Sequence, residues 1–222
     1  MGKLEYDFMF FYLFGQILKG KSVWRALLNK EAGKFYLSGD VVDIGGGKNP
    51  SYFRFFKKDE NLKIENIDLN GAEGSRALDL EKDKLPAADN SRDQVLLFNI
   101  LEHIYNHSHV TGEAFRILKN NGELIGAVPF LINVHPDPHD YFRYTKESLE
   151  KIFSSAGFRE VKIAAIGFGP LMVNYNNMMF LLPRIIRPLF LFFYFSLDFI
   201  LLKIKPGLTE RFPLGYFFSA RK

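Results

Sequence analysis

Three groups of residues in this 222-residue sequence have types and spacings that can do chemistry. The first is Asp43-Ile-Gly45-Gly46-Gly47-Lys48-Asn49-Pro50, which follows Val41-Val42. Glycines let a backbone approach a ligand closely. The free N–H groups of a following helix attract an anionic group, such as a carboxylate or a pyrophosphate. The second is Asp68, 21 residues after Gly47. A carboxylate at about that distance is placed to accept ribose hydroxyls. The spacing departs from G-x-G-x-x-G, because Pro50 stands at the last position. Each feature also has a bland reading: a tight turn for the glycines and a helix cap for Asp68.

The third group is the histidines. All five lie between positions 103 and 139: His103, His107, His109, His135 and His139. His103 and His107 have the i, i+4 spacing of ligands on a helix, and His135-Pro-Asp137-Pro-His139-Asp140 also has a metal-like composition. Two prolines in that run favour an extended loop, and the sequence fixes no third ligand in a shared geometry. No metal is therefore expected. The other reading makes residues 135–144 a loop at the carboxyl end of a sheet, facing an acceptor. His135, Tyr141, Arg143 and Tyr144 would then contact the substrate. His139 is the first candidate for a general base and His103 the second. Against this, each histidine can serve a loop structurally. Arg143 can simply pair with Asp140, and both tyrosines can simply pack.

These residues need a scaffold, and the sequence supplies alternating elements. Strands are expected at 41–44, 63–67, 76–80, 93–99, 123–128, 158–165 and 213–220. Helices are expected from 51, over 110–118 with Asn120-Asn121-Gly122 ending it, and after Thr145 up to Ala156, with Gly157 following. Such alternation predicts a doubly wound α/β sheet, mostly parallel, with helices on both faces. Ligands bind such sheets outside the carboxyl ends of the strands, where the strand order reverses. Residues 1–38 read as an N-terminal helical segment, 39–166 as the core, 167–211 as an apolar helical insertion, and 212–222 as the last strand of the core.

Further on, Leu78-Asp79-Leu80-Glu81, Leu85-Pro86, Asp89-Asn90-Ser91-Arg92-Asp93-Gln94-Val95 and Leu101-Glu102-His103-Ile104 follow in order. Together with the glycine turn and Asp68, they resemble the class I S-adenosylmethionine-dependent methyltransferases, in the small-molecule, lipid and glycan-modifying branch. The resemblance covers residues 38–165 and 213–221. It implies a Rossmann-like sheet of seven strands with an antiparallel last strand, and S-adenosylmethionine as cofactor. Carried over, Asp43, Gly45 and Gly47 line the methionine end, and Asp68 with Leu69 holds the ribose. Asp79 with Leu80 lies at the adenine edge, and Asn99 faces the amino acid moiety or the methyl group. Asn49 stands where the family often has a third glycine. Segments of the form H-x-x-P-x-D-Y-x-R-Y resemble those in methyltransferases linked to bacterial surface glycans and lipids.

Composition narrows the rest. There is no cysteine, which excludes disulfides and thiolate chemistry. The net charge is +4, with no basic run of the kind that binds nucleic acid. The chain carries 24 Phe and 10 Tyr, many of them near the N-terminus and in 178–202. No secretory signal fits, because Asp7 precedes the first apolar run. The stretch 178–202 is too short in its uninterrupted part to span a bilayer, which needs about 20 residues. Arg184, Arg187, Tyr194, Asp198 and Lys205 are expected near one helical face. Such a segment can lie in a membrane interface, or it can be a lid or dimer interface.

The expected activity is methyl transfer from S-adenosylmethionine to a small or lipid-linked acceptor, such as a sugar hydroxyl of a surface glycan precursor. The protein would sit in the cytoplasm or peripherally at the inner face of the membrane. A nicotinamide-dependent oxidoreductase and a non-catalytic, membrane-associated protein with the same fold are the alternatives.

Overall fold

The computed structural model describes residues 3–46, 50–67 and 78–222. They form two compact units. One comprises Glu31–Pro129, Val134–Ala164 and Tyr216–Lys222, and the other Met1–Lys30, Phe130–Asn133 and Ala165–Gly215.

The first unit is built around a sheet. Strands β1 (Tyr36–Leu37), β2 (Asp40–Ile44), β3 (Lys57–Lys58), β4 (Lys63–Ile67), β5 (Arg92–Phe98), β6 (Leu118–Pro129), β7 (Arg159–Ile166) and β8 (Gly215–Arg221) alternate with helices. Six strands join in the order β4-β2-β5-β6-β8-β7, and β1 pairs with β3 separately. β2 runs parallel to both β4 and β5, and β5 runs parallel to β6. The last strand is antiparallel. Leu214 N–H donates to the Ile166 carbonyl and Phe130 N–H to the Leu214 carbonyl, while Lys222 N–H reaches back to Gly122 at the start of β6.

The central strands are apolar because both their faces are covered. Val41, Val42, Ile44, Val95, Leu96, Leu97, Leu124, Ile125, Ala127 and Val128 are all buried. Gly126 is required where the sheet is tightest: a Cβ there would lie 2.1 Å from the Leu97 carbonyl oxygen and 2.4 Å from the Phe218 ring. β4, at the edge of the sheet, exposes Lys63, Glu65 and Asn66 and buries Ile67. Two helices serve this unit after the first strands, at His107–Ile117 and Lys146–Ser155. Thr145 caps the latter, its side-chain oxygen accepting the Ser148 N–H at 3.2 Å.

Three expected elements differ. Residues 51–57 do not form a helix. They make one 3-10 turn, Phe53–Phe55, because Lys57–Lys58 is drawn into extended pairing with Tyr36–Leu37. The same pairing ends the helical preamble before residue 36. Asn120-Asn121-Gly122 is not a helix end either. The helix stops at Ile117 and β6 starts at once, with Asn121 at φ 65° inside it, where the register against β5 shifts. Asn tolerates that left-handed backbone, so it marks an irregular strand as readily as a helix stop. Of the expected strand at 76–80, residues 78–80 are not extended pairing partners, and 76–77 lie outside the described residues.

The second unit is helical. Its elements are α1 (Lys3–Leu18), α2 (Val23–Ala32) and, with α3 and α4 denoting the two helices above, α5 (Pro170–Met178) and α6 (Arg187–Ile204). Ser22 Oγ accepts the Arg25 N–H and starts α2. α1 and α6 meet through aromatic rings: Tyr6 lies 4.2 Å from Phe199 and 4.8 Å from Phe195, centroid to centroid, and the Tyr6 and Ser196 hydroxyls bond at 2.9 Å.

The face of α6 is the reverse of the sequence expectation. Asp198 does not face outward with the arginines; it is fully buried, in line with Leu191 and Phe195. Its carboxylate accepts the N–H groups of Leu171 at 3.1 Å and Met172 at 2.7 Å, the otherwise unpaired donors of the first turn of α5. Burial raises its pKa, and those N–H bonds oppose the rise. The outward face carries Leu189, Phe192, Phe193, Leu197, Ile200 and Ile204, each at least half exposed.

Candidate active site

β2 has β4 on one side and β5 on the other, so the strand order reverses at its carboxyl end. That is where a doubly wound sheet places a ligand. Asp43 lies there, fully buried. The Tyr52 hydroxyl donates to both of its oxygens, at 2.8 Å each. Burial pushes the Asp43 carboxyl up to about 7, and the Tyr52 hydrogen bond works against that. No cation pairs with it among the described residues.

The turn after β2 is shaped around this carboxylate. Gly45 adopts φ 74°, a left-handed backbone, and its N–H donates to the Ile67 carbonyl at 3.1 Å. A Cβ on Gly46 would meet Asp43 Oδ2 at 2.1 Å and the Tyr52 hydroxyl oxygen at 2.7 Å. Tyr52 is itself fixed by stacking on Phe98, with centroids 4.4 Å apart. Tyr52 and Phe98 are thus site residues that the sequence reading passed over, and Gly46, read only as part of the glycine turn, gains a specific role. The signal for Tyr52 was present, an aromatic residue two positions after Pro50, but nothing in the sequence says that its hydroxyl turns back to Asp43.

Asn99 follows β5, the neighbour of β2. Its φ is 52°, its N–H donates to the Ala127 carbonyl at 2.8 Å, and its side-chain Oδ1 is buried without a hydrogen-bond partner. A buried acceptor without a donor is costly unless a ligand supplies one. The uncompensated Asp43 carboxylate and Asn99 Oδ1 therefore fit a ligand that brings N–H donors and positive charge. Gly47, Asp68 and Leu69 lie outside the described residues. Leu80 is buried. Asp79 organises its own turn: its Oδ1 accepts the Glu81 N–H at 2.9 Å, and Lys82 pairs with it at 3.1 Å.

The acceptor-side candidates assemble on the turn Leu101–His103. The Glu102 carbonyl accepts the N–H groups of Tyr141 at 2.8 Å and Phe142 at 3.3 Å, which ties residues 135–144 to it. Nδ1 of His103 bonds the His139 carbonyl. The His139 ring is exposed and tilted against Tyr141, centroids 5.1 Å apart. Arg143 is committed to Asp140 by two hydrogen bonds, one of 2.6 Å, and this pair holds the Asp140 carboxyl far below the usual range. Tyr144 turns inward: it is buried and its hydroxyl donates to the Leu101 carbonyl at 3.1 Å, so it supports the turn rather than an acceptor. His107 does not join His103. It packs its ring near Phe142 and Tyr144, and burial lowers its pKa. The residue brought to His103 is instead its neighbour Glu102, together with His135. Sequence reading missed that set because it sought spacing on one helix.

Residues 57–126 match the methyltransferase domain family. Over 93 residues the chain is 27% identical to a probable S-adenosylmethionine-dependent methyltransferase of Mycobacterium tuberculosis, an alignment that covers 39% of this chain and 34% of the relative. The chain thus spans about a third of the length of the curated relatives it matches. In fold it is similar to a methyltransferase of Archaeoglobus fulgidus, with TM-score 0.58 and 17% identity over 96% of this chain and 99% of that one. It is also similar to phosphoethanolamine N-methyltransferase 2 of Haemonchus contortus, solved with S-adenosylmethionine, with TM-score 0.51 and 16% identity over 88% of this chain and 51% of that one. The chain has the Rossmann-like fold of class I S-adenosylmethionine-dependent methyltransferases, and its central part is similar to the methyltransferase domain family.

Proposed function

We propose that this protein binds S-adenosylmethionine at the carboxyl end of β2 and transfers its methyl group to a small or lipid-linked acceptor. The observation that carries this reading is the buried Asp43 carboxylate, which lacks a cationic partner among the described residues. The methionine moiety of the cofactor brings an ammonium group with three N–H donors, and Asp43 and Asn99 Oδ1 are acceptors on adjacent strands. The positive charge of an oxidised nicotinamide sits on a quaternary ring nitrogen with no N–H to donate to these acceptors, which favours the methyl donor over a dinucleotide.

When bound, the sulfonium supplies an already activated methyl group. The protein's own task is to hold the acceptor in line and exclude water. For a hydroxyl acceptor, a base near the acceptor helps remove the proton. His139 presents an exposed ring and is the first choice; His103, whose Nδ1 bonds the His139 carbonyl, is the second. His135, Tyr141 and Arg143 would shape the acceptor side. A lipid-linked glycan precursor fits the exposed apolar face of α6, which Arg184, Lys203 and Lys205 flank with positive charge. Among the described residues, no helix is long and apolar enough to cross a membrane. On this reading the face lies on a membrane surface, at its cytoplasmic side.

Calorimetric titration with S-adenosylmethionine, S-adenosylhomocysteine and NAD tests the reading. Binding of the first two, weakened at least about tenfold by Asp43→Asn, supports it; a tenfold change is about 1.4 kcal/mol. Binding of NAD alone, or equal binding by the variant, overturns it.

A further inference from the structure

We propose that Glu102, His103 and His135 form a binding site for one divalent transition-metal cation of the zinc type. The starting point is Glu102. Its side chain is fully buried, and neither carboxylate oxygen has a hydrogen-bond partner. A buried carboxylate that makes no hydrogen bond is a costly arrangement; the Arg143 guanidinium acts on Glu102 only through space, its hydrogen bonds going to Asp140, and a directly bound cation is the usual remedy.

Two imidazoles face that carboxylate. Nε2 of His103 and Nε2 of His135 each lie 3.8 Å from Glu102 Oε1. The ligand atoms of the three residues all fall within 4.8 Å of one another. A tetrahedral zinc site with bonds of about 2.1 Å sets its ligand atoms about 3.4 Å apart. Small movements of side chains would close the set on an ion.

The far side of the His103 ring is anchored: Nδ1 bonds the His139 carbonyl, an acceptor that favours the tautomer with the proton on Nδ1 and the lone pair on Nε2. His135 Nδ1 lies 3.6 Å from Asp140 Oδ2, too long for a hydrogen bond but close enough for the carboxylate to favour a proton on that nitrogen. Asp140 is in turn fixed by Arg143 and by the His135 N–H at 2.9 Å. This is the outer support that metal-binding histidines ordinarily have. A proton shared between a histidine and Glu102 accounts for less. At 3.8 Å neither ring makes a hydrogen bond to the carboxylate, and a second lone pair would still face it.

The donor set selects the ion. Magnesium and calcium favour oxygen ligands, whereas two imidazoles and one carboxylate suit zinc and its neighbours. Three protein ligands leave a fourth position open, as in catalytic rather than structural zinc sites. That position would take an oxygen, either water or the acceptor hydroxyl. The second option rests on the methyl-transfer reading; metal binding itself does not.

The test uses tag-free, chelator-treated full-length protein titrated with zinc chloride in a calorimeter, and with cobalt(II) followed by visible absorption. One zinc per chain is expected, with a tetrahedral cobalt spectrum. Glu102→Gln and His135→Ala should each weaken zinc binding by at least about 100-fold, since even outer-shell losses cost about 10–100-fold. His107→Ala should bind as the parent does. His135 sits on an exposed loop, so its variant remains informative if Glu102→Gln fails to fold. No zinc binding by the parent, or binding by His135→Ala as tight as the parent's, overturns the site. S-adenosylmethionine titration of the same samples reports separately on the cofactor site.

Discussion

The Tyr52 hydroxyl donates to both oxygens of the Asp43 carboxylate, 2.8 Å each, within a turn that the missing Gly46 side chain allows to close. A carboxyl held at about 7 sits well above its unfolded value of about 3.9. The stability this group contributes is therefore fully present below pH ~4 and is lost as pH rises through about 7. Asp43→Asn removes that loss. The variant is expected to match the parent near pH 4 and to exceed it by a few kcal/mol at pH 8, while losing cofactor affinity. Urea unfolding at both pH values measures the first effect; a variant less stable than the parent at pH 8 would show that Asp43 is compensated in the folded chain.

Gly46→Ala addresses the same turn sterically. The added carbon would fall 2.1 Å from Asp43 Oδ2. Either the carboxylate or the turn must move, and Tyr52 leaves the carboxylate little room. Cofactor affinity should fall at least about tenfold, with global stability reduced by about 1–3 kcal/mol, the range for forced overpacking. Gly112→Ala, in α3 with nothing within 4 Å of the new carbon, is the control that should leave affinity unchanged.

Much of this site could be read from residue types, because a parallel sheet writes itself as buried apolar runs: Val41-Val42 and Val95-Leu96-Leu97 announced the two strands that carry Asp43 and Asn99. What failed to show were relationships made in three dimensions. Lys57–Lys58 leaves a helical pattern because Tyr36–Leu37 offers it a strand partner. Glu102 looked like part of a family segment, yet its neighbours in space, His103 and His135, are separated by 32 positions of chain. Asp198 looked like the polar face of an amphipathic helix. The demand of the α5 N-terminus for acceptors drew it inward instead. Local pattern predicts which residues are apolar; it does not predict which polar residue a neighbouring helix end will recruit.

That recruitment carries a stability consequence. Asp198→Ala would strip two hydrogen bonds from the first turn of α5 and leave those N–H groups buried. The cost should be about 2–3 kcal/mol, the upper range for loss of an N-terminal cap. Asp198→Asn keeps one acceptor oxygen and should recover about half of it. Thermal unfolding of the three proteins checks the order. If Asp198→Ala is as stable as the parent, the carboxylate does not support α5. Gly169 belongs to the same arrangement, since a Cβ there would lie 2.6 Å from Asp198 Oδ1.

The outward face of α6 makes a prediction about lipid. Burying Asp198 turns Phe192, Phe193, Leu197 and Ile200 outward, a concentration of apolar surface that water disfavours. Arg184 and Lys205 at the two ends can meet anionic headgroups, each basic residue near such a surface contributing about 1 kcal/mol. Vesicles containing phosphatidylglycerol should sediment the protein, and purely zwitterionic vesicles should do so weakly. Phe193→Glu with Ile200→Glu should abolish binding to both, because each places a charge where the apolar face would enter the interface. High salt should weaken the anionic case alone, since it screens the arginine and lysine contribution and leaves apolar burial intact. Absence of sedimentation with either vesicle would remove the support for a lipid-linked acceptor. The cofactor site proposed at Asp43 would be unaffected, and the α6 face would then have to be explained by a protein partner.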